Sequence, residues 1–255
     1  MNTLKFLGTS GARFVVIQQL RNSGGLWLNI DGTNILIDPG PGSLVRCLAS
    51  RPKLNPRILD GIILTHRHLD HANDVNIMIE AMTNGGSDKK GSLFAPSDAF
   101  EIDPIILHYI RNNVKKIQTL REKRTYAIGN ISFETPIRHV HDVETYGLNF
   151  IGENCSLSLI SDTQYFEGIE EFYPGDILIL NVVLFKEIPQ IKHLSYPDVK
   201  KILEKRKPKL CILTHFGMTM IKNKPWVLAE NLSKKYELPV IAARDGLTVD
   251  LNKYH

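Results

Sequence analysis

Between Thr65 and His71 the chain places His66, His68, Asp70 and His71 within six residues. Imidazole nitrogens and carboxylate oxygens are donors that Zn²⁺ accepts, and a catalytic zinc uses three protein donors with one position left open for water. Four donors in one loop exceed that need, so the cluster predicts two metal ions. Further donors follow later in the chain: His141 after Ile137-Arg-His-Val140, Asp162 after an apolar run, and His215 after the apolar run that ends in Leu-Thr. Taken singly, each of these three reads more often as an ordinary loop residue. His139 rivals His141, because residues two apart on a strand share a face.

Such donors need rigid elements to hold them. Residues 61–65 form a continuous apolar run of the kind a buried strand shows, and the histidine cluster leaves its end. Strands are expected at 3–7, 25–30, 34–37, 93–96, 131–135, 146–151, 155–161, 175–181 and 210–214. Helices are expected at 44–49, 74–82, 105–117, 195–205 and 226–236. Ser195 is placed to cap its helix, with Pro197 in the first turn. Asp245-Gly246 between two apolar runs reads as a final hairpin. Residues 84–91, rich in Gly, Ser and Lys, read as an exposed loop that can also be drawn as a lid. Strands preceding helices in both halves predict two sheets sandwiched between helices, in one domain over residues 1–255.

Composition removes other classes. The 255 residues, 43% hydrophobic and 23% charged, suit a globular chain able to bury a full core. Three cysteines are too few for a disulfide framework and point to a reducing cytoplasm. No apolar stretch has the length of a signal peptide core or a membrane span. A net charge of +4 tolerates an anionic substrate without announcing a nucleic-acid binder. The basic stretches 121–124 and 205–209 lack interleaved aromatics for base stacking.

The cluster, His141, Asp162 and His215, in that order, together with Leu7-Gly-Thr-Ser-Gly, Ile37-Asp-Pro-Gly and Ala243-Arg-Asp-Gly246, resemble the metallo-β-lactamase fold hydrolases. The resemblance covers nearly the whole chain and implies an α/β fold, an αββα sandwich with metals at one edge. It also implies roles. His66, His68 and His141 would hold one metal; Asp70, His71 and His215 would hold the second; Asp162 would bridge them. His141 is preferred over His139 because the family's ligand stands at this spacing before a Thr-x-Gly segment. Asp38 matches an acidic residue that orients a ligand, although a plain turn aspartate reads equally well.

Within the family, Asp162 disfavours the true β-lactamases, many of which carry cysteine there. Phe6-Leu-Gly-Thr-Ser-Gly and His193-Leu-Ser195 are most similar to the ribonuclease Z branch, where such a histidine is the general acid. Members that mature transfer RNA insert a long arm between the third-motif histidine and the bridging aspartate. Only 21 residues separate His141 from Asp162 here, which shifts the expectation to armless relatives acting on small or exposed phosphodiesters, including cyclic nucleotides and cyclic phosphates. In that reading two divalent ions, zinc first and manganese or iron next, activate water that Asp70 orients. His193 protonates the leaving oxygen, and Ser195 bonds a phosphate oxygen. The alternatives are tRNA 3′-end processing, hydrolysis of a lactone or other ester, and metal binding without catalysis. No membrane partner is expected, nucleic acid is not favoured, and relatives in this branch are often homodimers. His108, His139 and His255 carry no assigned role.

Overall fold

The computed structural model describes residues 2–101, 103–153 and 155–254; His255 lies outside them. Two mixed sheets lie face to face. The first is built from β1 (Thr3–Phe6), β2 (Leu26–Ile30), β3 (Thr33–Ile37), β4 (Gly61–Ile63), β5 (Lys90–Ala95) and β6 (Val114–Thr119). The second contains β7 (Arg124–Ile128), β8 (Ile131–Thr135), β9 (Leu148–Ile151), β10 (Ser156–Ile160), β11 (Ile177–Leu184), β12 (Leu194–Ser195), β13 (Leu210–Thr214) and β14 (Val240–Ala242). The chain then returns to the first sheet as β15 (Thr248–Asp250), giving the order β15-β1-β2-β3-β4-β5-β6 against β14-β13-β11-β10-β9-β8-β7, with β12 beside β11.

Three apolar layers hold this sandwich. One lies between the sheets and includes Phe94, Phe133, Phe150 and Ile212. Helices α2 (Ser43–Ala49) and α4 (Val75–Met82) cover the first sheet through Cys47, Val75, Met78 and Ile79. Helices α6 (Tyr196–Lys205), α7 (Met218–Lys222) and α8 (Pro225–Tyr236) cover the second through Val199, Ile202, Met220 and Leu232. Because both faces of β11 and β13 are covered, every residue of each is buried, which is why these strands read as nearly continuous apolar runs rather than alternating ones. Three short helices complete the fold: α1 (Ala12–Ile17), α3 (Leu69–Ala72) and α5 (His108–Arg111).

The topology places the donors. Strands β10, β11 and β13 run parallel in register, as do β3, β4 and β5. Their carboxyl ends therefore collect at one edge, where Thr65, Asp162 and His215 follow. Backbone bonds tie the two sheets together there: Tyr146 N donates to Thr65 O at 3.1 Å, and Gly11 N to Phe216 O at 3.0 Å.

Four local expectations are corrected. The helix expected at 105–117 shrinks to α5, and Val114–Thr119 becomes an edge strand parallel to β5. Asn112-Asn113 ends the helix, and β-branched residues suit the pleat better. Strand β7, unforeseen, pairs antiparallel with β8. The Asp245-Gly246 turn is no hairpin, because β14 pairs parallel with β13 while β15 pairs antiparallel with β1 in the other sheet. Asp245 accepts from Thr9 Oγ1 and Asn22 N, both at 2.7 Å, and so anchors the crossing to the amino-terminal loops. Residues 84–91 are no lid. They lead into β5, which begins at Lys90, so they sit where β4 begins rather than where it ends, and Lys90 Nζ donates to Arg57 O at 2.7 Å.

Candidate metal centre

Strand β4 ends at Ile63, and an irregular stretch with a bend at Thr65 leads to His68, which stands at the amino-terminal cap of α3. His71 N and Ala72 N both donate to His68 O at 2.9 Å, and this tight reversal turns Asp70 and His71 back toward His66. Two residues at the site, Asp38 and His215, hold positive φ angles of 51° and 58°. A backbone in the left-handed region at non-glycine residues is strained and is kept only where the surroundings over-determine it.

The side chains converge. His141 Nε2 lies 3.1 Å from His68 Nδ1, and the His66 ring centroid lies 4.9 Å from His68 and 5.1 Å from His141. On the other side His71 Nε2 is 3.2 Å from His215 Nε2, and Asp70 Oδ2 is 3.6 Å from His215 Nε2 and 3.9 Å from His71 Nε2. Asp162 Oδ2 stands between: 3.4 Å from His71 Nε2, 3.4 Å from His215 Nε2, 3.4 Å from His193 Nδ1 and 3.9 Å from His66 Nε2. Within each of the triads His66/His68/His141 and Asp70/His71/His215, one donor atom per residue lies within 4.8 Å of the others.

Three of these rings have their tautomers set from behind. Asp38 Oδ2 accepts from His71 Nδ1 at 2.9 Å, and the Lys192 carbonyl accepts from His141 Nδ1 at 2.9 Å. Thr65 Oγ1 donates to Asp38 Oδ2 at 2.7 Å and so accepts from His66 Nδ1 at 3.0 Å. With each Nδ1 occupied, the Nε2 atoms of His66, His71 and His141 are the ones left facing the centre, as metal-donor nitrogens do. His66 Nε2 is fully buried and has no hydrogen-bond partner among the described residues. The residues present therefore fit metal ions.

The electrostatics agree. Burial pushes His66 well below the ordinary histidine range, and the neighbouring imidazoles push it further. Burial, then His141, lowers His68. His71 moves the other way: burial opposes its charge, but Asp162, Asp70 and Asp38 outweigh it and hold the ring well above its usual value. Asp162 is likewise buried, yet His215, His193 and His71 keep it ionised. Three carboxylates around His71 demand positive charge, which a proton or a metal ion can supply.

Other expectations sort around this centre. His139 is buried away from it, with Nε2 2.6 Å from Tyr173 Oη and Nδ1 3.2 Å from Asp162 O, and burial takes its pKa down to about 4. Asp38 is the orienting group for His71 rather than a plain turn residue. His193 joins the centre beside His141, their ring centroids 5.0 Å apart. Ser195 does not reach the cleft. It is fully buried, its hydroxyl donates to Asp198 Oδ2 at 2.5 Å and its N–H to the same oxygen at 3.0 Å, so it holds the start of α6 and not a phosphate. Asn181 was missed: its Nδ2 donates to Asp162 Oδ1 at 2.8 Å and fixes that carboxylate. A lone amide inside the apolar run of β11 was the signal.

The family model of the beta-lactamase superfamily domain matches residues 33–216, which span every donor named above. The chain belongs to the beta-lactamase superfamily. It is 29% identical over 257 residues to the uncharacterized protein MJ1374 of Methanocaldococcus jannaschii, covering 96% of this chain and 94% of that one. Its fold is similar to that of the metallo-β-lactamase fold protein YhfI from Bacillus subtilis, with a TM-score of 0.80, 16% identity, and 97% and 98% of the two chains covered. It is similar too to a diphosphatase of the PhnP family, with a TM-score of 0.72, 22% identity and 98% of each chain covered. Among the described residues no helix is long and apolar enough to cross a membrane.

Proposed function

We propose that the protein is a dinuclear metal-dependent phosphodiesterase acting on small or exposed phosphodiesters. One observation carries this reading: a single carboxylate oxygen, Asp162 Oδ2, stands between two groups of converging imidazoles, 3.4 Å from His71 and His215 and 3.9 Å from His66. His66, His68 and His141 would hold one ion, Asp70, His71 and His215 the other, and Asp162 both. Zinc suits this donor set first, with manganese or iron as alternatives set by availability. Two such ions supply charge for phosphoryl oxygens and acidify water at neutral pH.

The chain's own residues do the rest. Asp70, part-exposed at the cleft, accepts a proton from the attacking water and aims it. His193 lies at the mouth and gives a proton to the departing oxygen. Burial takes its ring down to about 4 while Asp162 pulls the other way, and a phosphodiester anion beside it adds a second negative charge in the favourable sense. Strands β9 and β10 occupy the interval between His141 and Asp162, which leaves no arm for gripping transfer RNA. The test is an assay of the Zn²⁺- or Mn²⁺-loaded protein on bis-p-nitrophenyl phosphate, 2′,3′- and 3′,5′-cyclic nucleotides and an acyl-homoserine lactone. Phosphodiester turnover is expected; lactone turnover alone overturns the reading.

Two further results are expected. His193→Ala should slow esters with alkyl leaving groups by about 10²–10⁴ and p-nitrophenyl esters far less; equal losses in steady-state kinetics would remove His193 as the acid. Because carboxylates hold a proton on His71, cation uptake must displace it. Affinity should therefore rise with pH until the ring titrates and then level off. Calorimetry in buffers of different ionisation enthalpy should read about one proton released near neutrality, and none would contradict the role of His71.

A further inference from the structure

The candidate metal centre forms one end of a cleft of about 840 Å³, within the range of about 300–1,000 Å³ of small-molecule sites. His68, Asp70, His141, Asp162 and His193 line that end. The remainder is walled largely by carbon, and its apolar side chains come from separate segments: Phe14 and Ile17 on α1, Ile188 and Ile191 between β11 and β12, Val183 on β11 and Met218 on α7. Phe14 and Ile17 are 61% and 70% exposed, and Ile188 and Ile191 are 38% and 39% exposed. Side chains this open on two short segments do not serve the core, yet they border the same concave space as the metal donors. Polar side chains border it too: Arg13 on α1, Asn73, Gln190 and Thr219, with Lys192 Nζ paired to Asp142 at 2.9 Å.

Resting on the phosphodiesterase reading, we propose that the substrate is a phosphodiester bearing a large apolar substituent, an alkyl or aryl group. The ester sits at the histidine end, and the substituent lies against Phe14, Ile17, Ile188 and Ile191. Continuity of the wall with the donor cluster makes substrate, rather than a second copy of the chain, the occupant. A nucleoside fits less well, because the wall is mostly carbon and would leave many of its ribose hydroxyls and base edges without hydrogen-bonding partners.

The proposal is tested by calorimetric binding of methyl, butyl and octyl methylphosphonate, monoanions that resemble a phosphodiester, to the metal-loaded protein. Full burial of a methylene is worth about fourfold in affinity, and an open cleft buries the chain on one side. The octyl compound should bind at least about thirtyfold more tightly than the methyl one. Ile17→Asn and Ile191→Asn, on different segments, should each shrink that ratio severalfold. A flat chain-length series, or tighter binding of a cyclic nucleotide than of the octyl compound, overturns the proposal. So does an undiminished ratio in both variants accompanied by conversion of a dimer to a monomer in sedimentation, since the face would then join two copies. Turnover of methyl and octyl p-nitrophenyl phosphate separates the two readings. Chain-length-dependent binding without any turnover sinks the phosphodiesterase and keeps the apolar subsite. Turnover with a flat series does the reverse.

Discussion

On the proposed two-ion reading, Asp162→Ala is expected to release both metal ions and to abolish turnover. One oxygen of this carboxylate lies within 3.9 Å of nitrogens from His66, His71, His193 and His215, so it faces both donor groups at once. Its removal leaves converging lone pairs and two cations without the charge that offsets their repulsion. Loss of an outer partner of a metal ligand costs about 10–100-fold in affinity, and loss of the shared ligand should exceed that. Metal content by plasma emission spectrometry should fall from two equivalents toward none. Asp162→Asn, of the same shape and still able to face Asn181, should behave similarly, which separates lost charge from a lost contact. Two retained equivalents in either variant would show that the imidazole groups bind metal independently and would break the shared-ligand assignment.

Gly11→Ala is expected to damage one half of the centre selectively. The glycine has φ −127° and ψ 148°, a conformation that alanine adopts without strain. The obstacle is contact: a Cβ there would stand 2.1 Å from the His215 carbonyl oxygen and 2.8 Å from its ring. Either α1 or His215 must move, at a cost of about 1–3 kcal/mol in overpacking. His215 is the more vulnerable partner, since its own backbone is held at a positive φ of 58°. A two-step cobalt titration should show the Asp70/His71/His215 group weakened by at least tenfold, a displacement effect as large as loss of an outer partner, while the His66/His68/His141 group keeps its affinity. Equal losses at both groups would mean that the strain spreads through the fold instead of through His215.

Part of this architecture was legible because its causes are local. His66, His68, Asp70 and His71 lie in one loop after one buried strand, so their convergence follows from a single turn. The nearly continuous apolar runs that became β11 and β13 reveal strands covered on both faces, and strands preceding helices in both halves suggest a two-sheet sandwich with donors at its edge. Residues 114–117 fall within the helix expected at 105–117 because a short apolar pattern does not distinguish periods, and only pairing with β5 chose the strand Val114–Thr119.

Order and spacing by themselves offered the fold class, the cluster at the end of β4 and the candidate donors Asp162 and His215, with His141 and His139 left as rivals. Tertiary structure decided what depends on contacts between distant segments. It turned His139 inward to Tyr173 and His141 into the cleft, a choice that residues two apart on one face cannot make alone. It gave Asp38 to His71 and Asn181 to Asp162. It also brought α1 against the segment after β11, more than 160 residues away in sequence, to make an apolar cleft. A local pattern records which side chains are present and how they alternate; which atoms they meet is set by long-range packing, and the chemistry of this site lies in those meetings.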